Sequence, residues 1–167
     1  MSTNNLKASS LYVALHEPRI PQNTGNIART CAALKIPLLL IKPLGFSLED
    51  RYLKRAGLDY WPYVDITIFE CLEAFYSIIP TATRLIGTSK KGGTRLSSFS
   101  FEHGDILLFG REDTGLPENI KNSCTAIITI PMPGGQGEAN NNGVRSLNLA
   151  VATGITCHQA GSNLSLW

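Results

Sequence analysis

Residues 105–117 read DILLFGREDTGLP: an acidic residue, four apolar ones, glycine, a charged turn, a second glycine and a proline. A short apolar run that halts at glycine predicts a buried strand ending in a tight turn, because glycine permits close approaches and dihedrals that other residues resist. Outward from this strand, the runs 11–16, 36–42, 64–69, 84–88 and 126–131 are equally short and aliphatic. Between them, 24–35, 48–57, 70–79, 117–122 and 146–159 have helical period. The alternation predicts an α/β fold, a mostly parallel sheet flanked by helices. Ser47 with Asp50 resembles an N-terminal cap for the segment 48–57.

The chain has 167 residues, 43% hydrophobic and 17% charged, enough for one substantial core. A single domain over 1–167 is expected, with Met1–Ser10 as a flexible N-terminus. The longest apolar stretch, Ile36–Ile41, is far below the roughly 18 to 20 residues that span a bilayer, and the polar start lacks a signal-like apolar region. No membrane association is expected, and a cytoplasmic location is. The cysteines at 31, 71, 124 and 157 are too far apart for a metal or redox pair and sit among apolar neighbours, which predicts reduced core thiols. His16, His103 and His158 lack ligand spacing, and nothing pairs a nucleophile with a base, so no metal site and no hydrolytic triad is expected. A formal charge of +2 says little about partners. The clusters Arg51, Lys54, Arg55 and Lys90, Lys91, Arg95 are candidate phosphate contacts or ordinary solvated faces.

Glycine, proline and asparagine concentrate in three loops, 17–26, 110–117 and 132–145, each after a predicted strand. Ligands of open α/β sheets bind beyond the carboxyl ends of strands. In the first loop a helix start near Asn23 or Thr24 offers unpaired N–H groups to an anion, with Asn23, Asn26 and Arg29 adding side-chain groups. The second is neither GxGxxG nor a GxxxxGK[ST] phosphate loop. After the third, Ser146 is a plausible N-cap for the last helix, and Ser146 and Asn148 bring a hydroxyl and an amide to the same end of the sheet. Tyr60 and Trp61 are suited to base stacking, or to burial against the sheet or a partner subunit.

Together the three loops resemble the three signature motifs of the SPOUT class of RNA methyltransferases, in its SpoU branch of ribose 2′-O-methyltransferases. EPRIPQNTGNIART (17–30) is similar to the first motif, LLFGREDTGLP (107–117) to the second, and TIPM (129–132) with RSLNLAVA (145–152) to the third. PLGFSLEDRYLKRAGLDYW (43–61) is similar to a segment of the minimal subgroup, the tRNA (cytidine/uridine-34 2′-O)-methyltransferases acting on leucine tRNAs.

The resemblance implies a SPOUT fold with a C-terminal trefoil knot, a homodimer, S-adenosyl-methionine as methyl donor, S-adenosyl-homocysteine as product, tRNA as substrate and no metal. It implies that Thr88, Gly110, Ile130, Ser146 and Leu147 hold the donor. Arg29, Ser146, Asn148 and Glu112 are the implied catalytic residues, and Asn23, Asn26, Arg51, Lys54, Arg55, Lys90 and Lys91 the implied RNA contacts. Two departures stand out: Arg111 where many relatives carry proline, and a long, glycine-rich 132–145 loop. Competing readings are methylation of another tRNA position or of ribosomal RNA, and a knotted RNA-binding protein without catalysis. The presence of Arg29, Ser146 and Asn148 together argues against the last.

Overall fold

A computed structural model of the chain describes residues 6–48, 60–133 and 146–167. Its strands are β1 (Leu11–His16), β2 (Leu38–Ile41), β3 (Ile66–Phe69), β4 (Leu85–Thr88), β5 (Thr94–Arg95), β6 (Asp105–Phe109) and β7 (Ala126–Thr129). The helices are α1 (Pro21–Leu34), α2 (Leu72–Ile78), α3 (Glu118–Ser123) and α4 (Leu149–Asn163). The strands form one sheet in the order β3-β2-β1-β6-β4-β7-β5, and every pairing is parallel.

Both faces of the sheet are covered, so its central strands are apolar at consecutive positions rather than at alternate ones. Leu11, Val13, Leu15, Leu38, Leu40, Leu107 and Phe109 point to one face, where Ile27, Ala28 and Cys31 of α1 and Cys157 and Ala160 of α4 meet them. Tyr12, Ala14, Leu39, Ile41, Ile106 and Leu108 point to the other, against Phe75 of α2 and Ile120 of α3. There Phe75 meets Phe69 edge-on, with ring centroids 5.4 Å apart, a favoured aromatic geometry.

The strand order places β6 between β1 and β4, in register Leu11↔Asp105 through Leu15↔Phe109. From β1 the chain moves outward to β2 and β3, and the later strands build the sheet on the opposite side. Such a reversal opens a crevice at the carboxyl ends of the two central strands.

Several boundaries differ from the sequence reading. The first helix begins at Pro21 rather than near Asn23, since proline at the first helical position loses no hydrogen bond. The last helix runs Leu149–Asn163 rather than 146–159, and its N-cap is Asn148, not Ser146. The Asn148 carbonyl oxygen accepts from the N–H groups of Ala150 (2.8 Å) and Val151 (3.4 Å). Strand β5, only two residues long, and the 3-10 turns Trp61–Tyr63 and Leu96–Ser98 were too short to show in the sequence pattern. Cys31 and Cys157 are buried as expected, Cys124 is half-buried, and Cys71 is exposed instead of lying in the core. The segment 49–57 of the expected second helix lies outside the described residues, as do Arg51, Lys54, Arg55 and most of the 132–145 loop. Lys7 and Ser9 are tied to β1 through the Tyr12 hydroxyl, which donates to the Lys7 carbonyl and accepts the Ser9 N–H. Among the described residues, no helix is long and apolar enough to cross a membrane.

At the amino end of β6, away from the crevice, Asp105 is 1% exposed. It accepts the Glu102 N–H at 2.9 Å and lies 3.1 Å from Arg84 Nε. Burial pushes its carboxyl up to about 6, with the Arg84 charge opposing. Because this folded-state value exceeds the ordinary 3.8, the native state holds the proton more tightly, and stability falls as pH rises through the window from about 4 to 6. Asp105→Asn keeps the acceptor without the charge. Urea denaturation across that window is expected to show the variant gaining on the wild type, by at most about 3 kcal/mol; parallel profiles would mean that the Asp105 charge carries no such cost.

Candidate active site

The carboxyl ends of β6, β4 and β7, with Ile20 and Asn23 beyond β1, surround a cavity of about 490 Å³, within the range of small-ligand sites. Its apolar wall comes from Phe109, Leu116, Ile128, Ile130, Leu147 and Leu149. Its polar groups come from the loops: Asn23 after β1; Thr88, Ser89, Lys90 and Lys91 after β4; Arg111, Glu112, Asp113 and Thr114 after β6; Ser146 and Asn148 before α4. Thus Thr88, Gly110, Ile130, Ser146 and Leu147, the expected donor contacts, all line one cavity, together with Asn23, Glu112, Asn148, Lys90 and Lys91.

A chain of hydrogen bonds ties the three loops together. The Glu112 carboxylate accepts the N–H groups of Arg19 (2.8 Å) and Ile20 (3.1 Å), which lie immediately before α1. It also accepts from Asn23 Nδ2 at 3.2 Å. Asn23 Oδ1 in turn accepts from Asn148 Nδ2 at 2.9 Å. The start of α1, expected to greet an external anion, therefore meets the protein's own carboxylate, which suits the positive end of the helix dipole. Asn148 spends its oxygen capping α4 and its nitrogen on Asn23, so both ends of its amide are engaged.

The loop after β6 is folded tightly on itself. A Cβ added at Gly110 would lie 2.1 Å from the Gly115 carbonyl carbon and 2.2 Å from the Leu116 nitrogen. Glycine at 110 is demanded by the loop's own backbone. Gly115, at φ +71°, takes the left-handed turn that closes the loop, and its N–H donates to the Arg111 carbonyl at 2.9 Å. Arg111 forms a two-pronged bond to Asp113, Nε to Oδ1 at 2.9 Å and Nη2 to Oδ2 at 2.7 Å. The guanidinium holds the Asp113 carboxyl well below the usual carboxylate range. Its Nη1 is also 3.6 Å from Glu17 Oε2, across the gap between the first two loops. Glu17 itself sits at φ 49°, a left-handed backbone rarely adopted outside glycine and asparagine. Arg111 is thus a brace between the loops after β1 and β6.

Two expected site residues fall elsewhere. Asn26 and Arg29 are exposed on the outer face of α1 and do not line the cavity. Six residues beyond Asn23, Arg29 is about 9 Å further along the helix axis. Its guanidinium lies over the Tyr60 ring, 4.7 Å from the centroid, while Trp61 packs against the core. Ile20, Asp113, Thr156 and Lys121 of the cavity lining were not anticipated. Lys121 was hidden in a short helical run, and only the fold brings it to the cavity that Lys90 and Lys91 also line. His16 is buried at the end of β1, its Nε2 3.6 Å from Glu17, and burial holds its pKa below the ordinary value. Among the described residues, no three His, Cys, Asp or Glu side chains gather as metal ligands would.

The profile of the SpoU rRNA Methylase family matches residues 10–158. The tRNA (cytidine(34)-2′-O)-methyltransferase of Methylovorus glucosotrophus is 41% identical over 148 residues, 89% of this chain and 92% of that one. A solved structure described as giving insight into the 2-OH methylation of C/U34 on tRNA is 45% identical, with a TM-score of 0.86 over 95% of this chain and 99% of that one. An AdoMet-bound rRNA methyltransferase from Sinorhizobium meliloti is 27% identical, with a TM-score of 0.79 over 96% of this chain and 59% of that one. The three motif loops, the parallel sheet that carries them and these likenesses agree: the chain belongs to the SpoU methylase family and has its SPOUT fold.

Proposed function

We propose that this chain methylates the ribose 2′-hydroxyl of the wobble nucleotide 34, cytidine or uridine, of tRNA, leucine tRNAs in particular, using S-adenosyl-methionine and releasing S-adenosyl-homocysteine. The observation that carries the reading is the convergence of three motif loops on one 490 Å³ cavity, in a chain 41% identical to a tRNA (cytidine(34)-2′-O)-methyltransferase. The cavity suits the donor: an apolar wall for an adenine ring, backbone polar groups at strand ends for its edge, and a mixed polar rim for its amino-acid end. Thr88, Gly110, Ile130, Ser146 and Leu147 would hold it, and when bound it supplies an already electrophilic methyl group.

The protein must then align a poorly nucleophilic hydroxyl and let its proton leave. A guanidinium is too weak a base to take that proton. Arg29, lying outside the donor cavity, instead orients the RNA by gripping the phosphate beside the reacting ribose, and the proton passes to phosphate or solvent. Lys90 and Lys91 at the rim, with Asn26 on the same face of α1 as Arg29, meet the RNA backbone, as do Arg51, Lys54 and Arg55. Glu112, Asn23 and Asn148 act on catalysis by fixing the loops that shape the cavity. No metal takes part.

The remaining parts of the reading have their own supports. All 167 residues act as one catalytic domain, since a single sheet draws strands from residue 11 to residue 129. The C-terminal trefoil knot is supported by the return of α4, which follows β7 in sequence yet packs on α1 and on the turn Leu96–Ser98. A homodimer is supported by Val151 and Ile155, 50% and 41% exposed on one face of α4, apolar surface that a second subunit would cover. Four free cysteines suit the reducing cytoplasm.

Methyl transfer from labelled S-adenosyl-methionine to total tRNA, followed by nuclease digestion and mass spectrometry, is expected to yield 2′-O-methylated cytidine or uridine from position 34. Label in ribosomal RNA alone would move the substrate, and absence of donor binding would leave the non-catalytic RNA-binding reading. Two variants separate the assigned roles. Arg29→Ala is expected to lower kcat on the order of 100-fold with donor affinity and melting temperature unchanged; wild-type turnover with donor and RNA still bound would remove its orienting role. Glu112→Ala is expected to weaken donor binding and lower stability by about 1 kcal/mol, and a variant that loses turnover with both unchanged would make Glu112 a participant in the chemistry.

A further inference from the structure

The contact between Arg29 and Tyr60 is not explained by folding alone. Arg29 is exposed on α1, and among the described residues no hydrogen bond or ion pair engages its guanidinium. What holds it is the face of the Tyr60 ring, 4.7 Å away. Tyr60 in turn is anchored: its carbonyl accepts the Tyr63 N–H at 2.9 Å, and the next residue, Trp61, packs against the sheet's core. Tyr60 nonetheless remains 37% exposed.

Stacking on an aromatic face differs from the other ways of fixing an arginine. A carboxylate partner would consume the in-plane N–H donors and cancel the charge, as Asp113 does for Arg111. A ring attracts the guanidinium without neutralising it, and so leaves the positive charge and N–H donors for an anionic ligand. Such an arrangement immobilises a flexible side chain before the ligand arrives, sparing part of its ordering cost.

We infer that Tyr60 is a positioning residue for Arg29, holding the guanidinium over its ring so that the charge and its N–H donors meet the phosphate of the bound RNA. The inference rests on the proposed role of Arg29 in tRNA methylation. It assigns Tyr60 no contact with the reacting atoms. The ring carries the effect and the phenol hydroxyl does not, so phenylalanine should serve and leucine should not.

The test is single-turnover methyl transfer to tRNA by the full chain carrying Tyr60→Phe or Tyr60→Leu, alone and combined with Arg29→Ala, with thermal melting as a folding check. Tyr60→Leu is expected to lower the rate about two- to five-fold, the worth of an exposed cation–π contact. The KM for the donor should not change, and Tyr60→Phe should retain the wild-type rate. In the Arg29→Ala background Tyr60→Leu should have no further effect, because the group it positions is gone. Equal losses from Phe and Leu, an undiminished loss in the Arg29→Ala background, or full activity of a folded Tyr60→Leu would each overturn the inference while leaving the methyltransferase reading intact. A wild-type chain that neither binds nor methylates tRNA would remove that reading and this inference with it.

Discussion

Everything at the carboxyl end of this sheet hangs on one carboxylate. Glu112 collects two backbone N–H groups from the segment ahead of α1 and the Asn23 amide, and Asn23 passes the constraint to Asn148 at the start of α4. The partners are 93 and 125 residues apart in sequence, so no local propensity could impose the arrangement. A charged acceptor with several donors is stronger than a neutral one. Held this way, loops rich in glycine and asparagine keep a defined cavity between them.

The sheet makes that constraint possible. With β6 inserted between β1 and β4, the loops after β1 and β6 emerge side by side, and Glu112 needs no unusual reach to meet Arg19 and Ile20. Arg111 adds a second brace toward Glu17, in parallel with the first. Glu112 and Asp113 are thus engaged in holding the cavity's walls, while Lys90 and Lys91 at its rim stay exposed and Lys121 pairs with Glu118. That division suits the proposed pairing of a small methyl donor with an RNA.

Fold class was legible because buried parallel strands write themselves as unbroken aliphatic runs, here at 11–16, 38–41 and 105–109. Motif resemblance then supplied the expected donor contacts, Thr88, Gly110, Ile130, Ser146 and Leu147, and all five line one cavity. What sequence hid was geometry. The expected cap of the last helix, Ser146, gives way to Asn148, whose amide nitrogen also reaches Asn23 across 125 residues of sequence. Arg29 was grouped with Asn23 by proximity in sequence, yet helical rotation sends the two to different faces. Two-residue β5 has no period to detect, and Lys121 declares its place only when α3 is docked.

The insertion of β6 also dictates an order of assembly. As the chain leaves the ribosome, β1 pairs readily with β2 and β2 with β3, but β4 emerges before the strand that must separate it from β1. Pairing of β1 directly with β4 would be a trap to be undone, since long-range parallel pairing is slow and exposes unfinished edges. The edge of β1 must therefore wait, open, until residue 105 is available, and the Glu112 clamp closes only afterwards. For this protein, a segment made 93 residues later is what fixes the first loop in place.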